Sequence, residues 1–152
     1  MLQESDLPNT VTLLTLFSSF SDSVDMVHVK LLHSISMASD LNSHVILGNA
    51  IISMYGRCDP TTLCSRIAFH GLVAKNVSSW NAFISVLVQS GRYMLEAFQT
   101  FEQMKQEGVI ANTITFIVLL QMCANHSSLQ LGLQIHACIG GFDASHVDIM
   151  VN

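Results

Sequence analysis

Histidine and cysteine are the residues of this sequence that could hold a metal ion. The chain contains seven histidines and four cysteines. A zinc site needs ligands that converge at short, turn-compatible spacing. The closest pairs are Cys58 with Cys64, which a proline-containing turn separates, and His136 with Cys138, which fall on opposite sides of a predicted helix. Neither pair forms such a site, so we expect no metal and no cofactor. Free thiols in a reducing compartment are favoured over a disulfide framework.

Two asparagines recur at the same phase of an internal repeat. The segment GNAIIS at 48–53 matches WNAFIS at 80–85 with an offset of 32 residues, which aligns Asn49 with Asn81. An asparagine amide offers both a carbonyl acceptor and an NH₂ donor, so it can pair with the edge of a nucleic-acid base. The alternative is that both residues cap helices or turns and satisfy backbone groups.

Trp80 precedes the second of these asparagines and could stack on a base. It shares a stripe at helical spacing with Phe83, Ile84 and Leu87, which is typical of the buried face of a helix. Core packing is therefore the favoured interpretation of Trp80.

Two helices must position these residues in the segment 77–112. The first carries the Trp80 stripe and is interrupted at Ser90-Gly91. The second carries Ala97, Phe101 and Met104 on one face, and Gly108 is a natural C-terminal stop. Two helices of this length cannot bury their apolar faces against each other alone, so we expect neighbours of the same kind.

Repetition along the chain supplies those neighbours. Residues 11–16 and 33–34 also resemble 114–119 and 136–137, at an offset of 103. A long period that contains a shorter one is typical of helical solenoids. We divide the chain into units at 10–44, 45–76, 77–112 and 113–146, with the tail of a preceding unit at 1–9 and the start of a further unit at 147–152. In the first unit, helices are predicted at about 11–20 and 24–38. Because both ends fall within a unit, the chain is expected to be a fragment or a truncated gene product.

Composition restricts the class of protein further. Half of the 152 residues are hydrophobic and 11% are charged, which is typical of a folded domain. The most apolar run, 109–124, is shorter than the ~20 residues that cross a bilayer, so no membrane association is expected. The net charge is −5 and the six lysines and arginines are dispersed, which counts against non-specific binding to polyanions. Residues 1–9 show no targeting peptide.

Several motifs resemble those of plant pentatricopeptide repeat proteins. They are SWNAFIS at 79–85, EAFQTFEQMKQEGV at 96–109 and GNAIISMYGRC at 48–58. The resemblance is to the subclass that mixes standard, long and short repeats. It implies an all-α fold, a right-handed α-solenoid of stacked helix-turn-helix hairpins. The units at 10–44 and 113–146 resemble long repeats, 45–76 a short repeat and 77–112 a standard repeat.

The resemblance also implies a reading site for single-stranded RNA, with about one base for each reading repeat. The fifth and last residues of a repeat carry this role, here Asn49 with Asn76 and Asn81 with Asn112. A pair of asparagines favours pyrimidines, so we expect recognition of two adjacent pyrimidines, either C or U.

The second residue of a repeat is usually an apolar wedge beside the base in this family. Ile46 fits that role, whereas Ser78 departs from it. The fifth residues of the two long repeats, Leu14 and Ile117, cannot form hydrogen bonds with a base, so those repeats are expected to space the array.

The function that the resemblance implies is sequence-specific binding of single-stranded RNA in support of organellar RNA processing or C-to-U editing. Editing or processing protein factors would be the partners, and the mitochondrion or, alternatively, the chloroplast the compartment. Zinc deaminase chemistry needs H-x-E and C-x-x-C, and the sequence contains neither, so we expect no enzyme. The alternatives are a helical-repeat scaffold that binds proteins without RNA, which the acidic balance favours, or a non-functional truncated gene product.

Overall fold

The computed structural model describes residues 9–19, 25–38, 44–126 and 129–147. All regular secondary structure in these ranges is α-helical, which confirms the all-α prediction. The helices are α1 (Thr10–Ser19), α2 (Met26–Ala38), α3 (Val45–Cys58), α4 (Leu63–Gly71), α5 (Val77–Gln89), α6 (Met94–Gln106), α7 (Thr113–His126) and α8 (Leu129–Val147). The tail at 1–9 lies outside the described residues apart from its last residue. The predicted start of a further unit at 147–152 lies outside them apart from its first residue.

The helices pack as hairpins stacked side by side. Helix α3 packs against α4, α5 against α6, and α7 against α8. The odd-numbered helices also form a continuous row, in which α1 contacts α3, α3 contacts α5, and α5 contacts α7. We call this the first-helix row. Such nearest-neighbour stacking is the solenoid arrangement that the repeats predict.

Each helix of the first-helix row begins at the first residue of a predicted repeat unit, and these residues are 10, 45, 77 and 113. The assignment of these units as long, short or standard repeats stays a prediction. Among the described ranges, no helix combines the length and the apolar character that a membrane span requires.

Helix α5 lies at the centre of the core because it contacts α3, α4, α6 and α7. Trp80, Ile84 and Leu87 are completely buried along its length. The ring of Trp80 packs edge-on against the ring of Phe69 in α4, with the ring centroids 5.0 Å apart. The Phe69 ring in turn stacks on Phe83, with the ring centroids 4.6 Å apart. Core packing of Trp80 is confirmed, and the ring is not exposed for stacking on a base.

Helix α6 ends at the predicted glycine. Its stripe of Ala97, Phe101 and Met104 is buried. Gly108 adopts φ of +75°, and its N–H donates to the Lys105 carbonyl at 3.0 Å, while the Val109 N–H donates to the Met104 carbonyl at 3.1 Å. These two bonds satisfy carbonyl groups that the helix end would otherwise leave unpaired. The expectation that Gly108 stops this helix is therefore confirmed.

A buried carboxylate holds the turn between α3 and α4. Asp59 Oδ2 accepts a hydrogen bond from the Cys64 N–H at 2.9 Å, and Oδ1 accepts one from the Thr61 N–H at 3.0 Å. Burial alone would raise the pKa of the Asp59 carboxyl, but these hydrogen bonds outweigh it and hold that pKa below its usual range. Asp59 therefore satisfies one N–H group in the turn, at Thr61, and one in the first turn of α4, at Cys64, that has no helical partner.

Candidate nucleic-acid interface

The candidate reading residues lie at the N-terminal ends of the first-helix row. Asn49 and Asn81 are the fifth residues of α3 and α5. Asn76 immediately precedes α5 as its N-cap, and Asn112 immediately precedes α7. Each predicted pair therefore combines one residue inside a first helix with one at the start of the next first helix.

The structure brings Asn81 and Asn112 into direct contact. Nδ2 of Asn81 donates to Oδ1 of Asn112 at 3.0 Å. The hydroxyl of Thr115, two residues into the next helix, donates to Oδ1 of Asn81 at 2.7 Å. The Thr115 N–H donates to Oδ1 of Asn112 at 3.1 Å. We call this set the Asn81–Asn112–Thr115 network.

Donor and acceptor chemistry decides which end of each amide in this network is the oxygen and which is the NH₂ group. A backbone N–H can only donate, so the Asn112 atom facing the Thr115 N–H must be the carbonyl oxygen. The Asn81 atom that meets that oxygen must then be the NH₂ group, and its own oxygen faces the Thr115 hydroxyl. Both carbonyl oxygens are therefore engaged within the network. The NH₂ group of Asn112 has no hydrogen-bond partner among the described residues, and the Asn112 side chain is half-buried.

The second predicted pair is not connected in this way. Asn76 Oδ1 accepts from the Ser79 N–H at 3.1 Å, and the Asn76 N–H donates to the Ser79 hydroxyl at 3.4 Å, so Asn76 and Ser79 form a capping box. Asn49 is half-buried, and its Oδ1 atom is buried without a hydrogen-bond partner. In the described part of the chain, no hydrogen bond joins Asn49 to Asn76.

The capping interpretation therefore applies to the last residue of each pair. Asn76 and Asn112 accept from a backbone N–H at a helix start. Asn49 and Asn81 lie inside helices and make no such bond. Thr115 was not singled out in the sequence, although it shares the third position of its unit with Ser79 and this shared phase was a signal that could have found it.

Exposed apolar side chains accompany the asparagines. Ile46, the predicted wedge, is 69% exposed, and the second residues of α1 and α7, Val11 and Ile114, are 67% and 57% exposed. Ser78 is exposed as well. Val11 and Ile114 share the repeat phase of Ile46 and Ser78 but were not predicted as site residues. The second residue of each first helix is thus accessible to a ligand.

Histidine, cysteine and acidic side chains are the possible metal ligands of this chain. No group of three or more His, Cys, Asp or Glu side chains in the described residues could hold a metal ion. All four cysteines are free. His33 forms a 3.0 Å hydrogen bond with the Tyr55 hydroxyl, where burial lowers the pKa of His33 and raises the pKa of Tyr55 to about 12. This contact ties α2 to α3 and serves packing.

Stacked helical hairpins with amide side chains at a shared phase define a helical-repeat protein. Residues 75–125 match the PPR repeat family, and this segment contains the whole Asn81–Asn112–Thr115 network. The predicted resemblance is thus confirmed at the level of the repeat family. The subclass with mixed repeat lengths stays a prediction.

The chain is also similar to pentatricopeptide repeat-containing proteins of Arabidopsis thaliana. It is 30% identical over 132 residues to one named as mitochondrial, which covers 87% of the chain and 23% of that protein. It is 27% identical over 139 residues to one named as chloroplastic, which covers 91% of the chain and 22% of that protein. A third is 32% identical over 126 residues, 83% of the chain and 18% of that protein. The chain therefore spans about a fifth of the length of these curated relatives.

Proposed function

We propose that this chain binds single-stranded RNA in a sequence-specific manner along the N-terminal ends of the first-helix row. The observation that carries the proposal is the hydrogen bond between Asn81 and Asn112, 31 residues apart. Together the two side chains form a polar site at which the NH₂ group of Asn112 can meet a base edge. The exposed Ile46 adds an apolar surface on which a base can rest.

The base class follows from the family resemblance and from the two asparagine pairs. Asn49 with Asn76 and Asn81 with Asn112 are the reading pairs, and their bases are two adjacent pyrimidines. The units at 10–44 and 113–146 act as spacers, because Leu14 and Ile117 carry no hydrogen-bonding side chain at the fifth position.

In a cell, the chain would act as part of the RNA-recognition array of an organellar protein. The relatives named as mitochondrial and chloroplastic support this setting. The array would select a transcript for RNA processing or C-to-U editing, and separate editing or processing factors would supply the chemistry. The mitochondrion is the first choice of compartment and the chloroplast the alternative.

A titration against short single-stranded RNAs tests the proposal. The chain is expected to bind an oligonucleotide with two central pyrimidines more tightly than one with two central purines. The substitution Asn81→Ala should weaken pyrimidine binding about tenfold, because the Asn112 amide loses the bond that holds it in place for the base. Circular dichroism of the variant checks that it is folded.

Gln99→Ala is the matched control, since it removes an exposed amide from α6, outside the first-helix row. It should leave the affinity unchanged. Equal, weak binding of pyrimidine and purine oligonucleotides, unaltered by Asn81→Ala, would overturn RNA recognition by this chain.

A protein-binding scaffold is the second candidate. The net charge of −5 and the exposed apolar side chains at Val11, Ile46 and Ile114 favour it. Its signature is co-purification of a protein partner that survives nuclease treatment, with no RNA recovered.

A further inference from the structure

We propose that Thr115 is a positioning residue that gives the Asn81–Asn112 pair a fixed hydrogen-bond polarity. The consequence is that two asparagine pairs, alike in sequence, read bases differently. This inference rests on the proposed RNA-binding function and adds to it the base choice at each repeat.

The polarity follows from the contacts of the network. The Thr115 N–H and the Asn81 NH₂ group engage Oδ1 of Asn112, and the Thr115 hydroxyl engages Oδ1 of Asn81. Thr115 is completely buried and Asn81 is only 5% exposed, so water does not compete for these bonds. What the pair has left for a ligand is N–H donors, above all the NH₂ group of Asn112.

A site that offers only donors distinguishes the two pyrimidines. Cytosine carries two adjacent acceptors, O2 and N3, on its Watson–Crick edge. Uracil has an N3–H donor between its two carbonyl oxygens, and this donor would meet another donor. An unpaired donor in a desolvated site is costly, so the unit 77–112 should prefer cytosine.

In the unit 45–76, hydrogen bonds hold only one of the two amides. Ser79 engages Asn76 alone, and no described residue bonds to the amide of Asn49. No hydrogen bond holds the Asn49 amide, although its oxygen is buried in the absence of a ligand. A turn about χ2 would present that oxygen to the N3–H of uracil, or the NH₂ group to cytosine. We expect this unit to accept both pyrimidines about equally, because turning an unbonded amide about χ2 is easy.

The first test observes the network without any RNA. In the NMR spectrum of the full chain, the side-chain NH₂ protons of Asn81 should exchange with water more slowly than those of Asn49. Thr115→Val removes the hydroxyl at nearly constant shape but keeps the backbone N–H that orients Asn112. It should reduce the protection, because the Asn81 oxygen loses its bond, and Thr115→Ser should retain it. Equal exchange at Asn49 and Asn81 in the unmodified chain would overturn the positioning role.

The second test measures base choice with four oligonucleotides that carry CC, CU, UC or UU in otherwise identical purine flanks. The unmodified chain should prefer cytosine about tenfold at one of the two positions and discriminate less than about twofold at the other. Thr115→Val should reduce the tenfold ratio to about twofold or less, and Thr115→Ser should preserve it. The ratio is read rather than the affinity, because a general loss of stability lowers all four affinities together.

Thr100→Val is the matched control, since it removes another buried threonine hydroxyl, on α6, that bonds only to the Glu96 carbonyl. It should leave the C-to-U ratio unchanged. A tenfold ratio that persists in Thr115→Val, or equal discrimination at both positions, overturns the inference while RNA binding stands. No preference for pyrimidines over purines in the unmodified chain overturns the proposed function itself, and the base assignments with it.

Discussion

At the scale of single residues, polar side chains just before helices determine much of this structure. Asp59 is an example. Family resemblance places a glycine turn after Cys58, and the sequence has Asp59-Pro60 instead. The carboxylate accepts from two backbone N–H groups, at Thr61 and Cys64, and Asp59 is only 7% exposed. The Asp59 side chain thus orders a turn for which the family uses a glycine.

Replacing Asp59 with Asn is expected to lower the free energy of unfolding at pH 7 by about 1–2 kcal/mol, the usual contribution of a capping side chain. The folded-state pKa of Asp59 lies below its unfolded value. Its contribution is therefore present above the unfolded pKa and is lost as pH falls through the folded pKa. Urea unfolding at pH 7 and at about pH 3 should show a larger acid-induced loss for the unmodified chain than for Asp59→Asn.

Asp25→Asn is the control for Asp59→Asn. Asp25 accepts from the Val27 N–H at the start of α2, but its side chain is 59% exposed. Its substitution should have the smaller effect at pH 7. If Asp59→Asn and the unmodified chain lose the same stability on acidification, the bonds of Asp59 do not stabilise the fold.

At the scale of helices, two glycines of α3 allow neighbouring segments to approach closely. A Cβ on Gly56 would overlap the Val86 side chain of α5, and a Cβ on Gly48 would overlap Leu72, which follows α4. Both glycines have ordinary helical backbones, so they are needed for space and not for conformation. The distance of α3 from α5 depends on Gly56, and its distance from the end of α4 depends on Gly48.

Gly56→Ala is expected to destabilise the chain by about 1–3 kcal/mol, because overpacking forces the α3–α5 contact apart. Adding Val86→Ala to that variant should recover part of the loss, which thermal unfolding of the single and double variants measures. Gly140→Ala in α8 meets no atom within 4 Å and should be neutral or stabilising, by up to about 1 kcal/mol. Equal effects at Gly56 and Gly140 would contradict the close approach.

At the scale of the whole molecule, the charges indicate that the proposed RNA recognition relies on side-chain contacts with bases more than on phosphate attraction. The chain has six lysines and arginines against eleven acidic residues. Arg66 is already paired with Glu96 between α4 and α6, and Lys105 with Glu102. Few cations remain to neutralise phosphates along an RNA strand.

The affinity for RNA should therefore depend weakly on salt. Binding to single strands changes with a slope of about −0.7 for each phosphate contact on a plot of log K against log salt. With two or fewer such contacts, the slope should be smaller in magnitude than about 1.5. Titrations between about 50 and 200 mM salt measure it, and a slope steeper than about −3 would indicate a phosphate-binding surface that the present charges do not explain.

The sequence by itself indicated the repeat units and the two helices of the segment 77–112, with the break at Ser90-Gly91. Apolar spacing around Trp80 and the glycine at 108 act through neighbours a few residues away, so they can be read without tertiary information. The shared repeat position of Asn49 and Asn81 could also be recognised from the sequence, because repeats preserve register.

Only the tertiary structure decided how the two asparagine pairs differ. The bond between Asn81 and Asn112 and the bond from Thr115 to Asn81 join residues 31 and 34 positions apart. Such bonds depend on the position of one hairpin relative to the next, to within a few tenths of an ångström. No local sequence pattern encodes a position to that precision. Asn76 and Ser79 occupy the repeat positions of Asn112 and Thr115, yet the oxygen of Asn49 has no hydrogen-bond partner. This difference in packing separates a site of fixed polarity from an adaptable one.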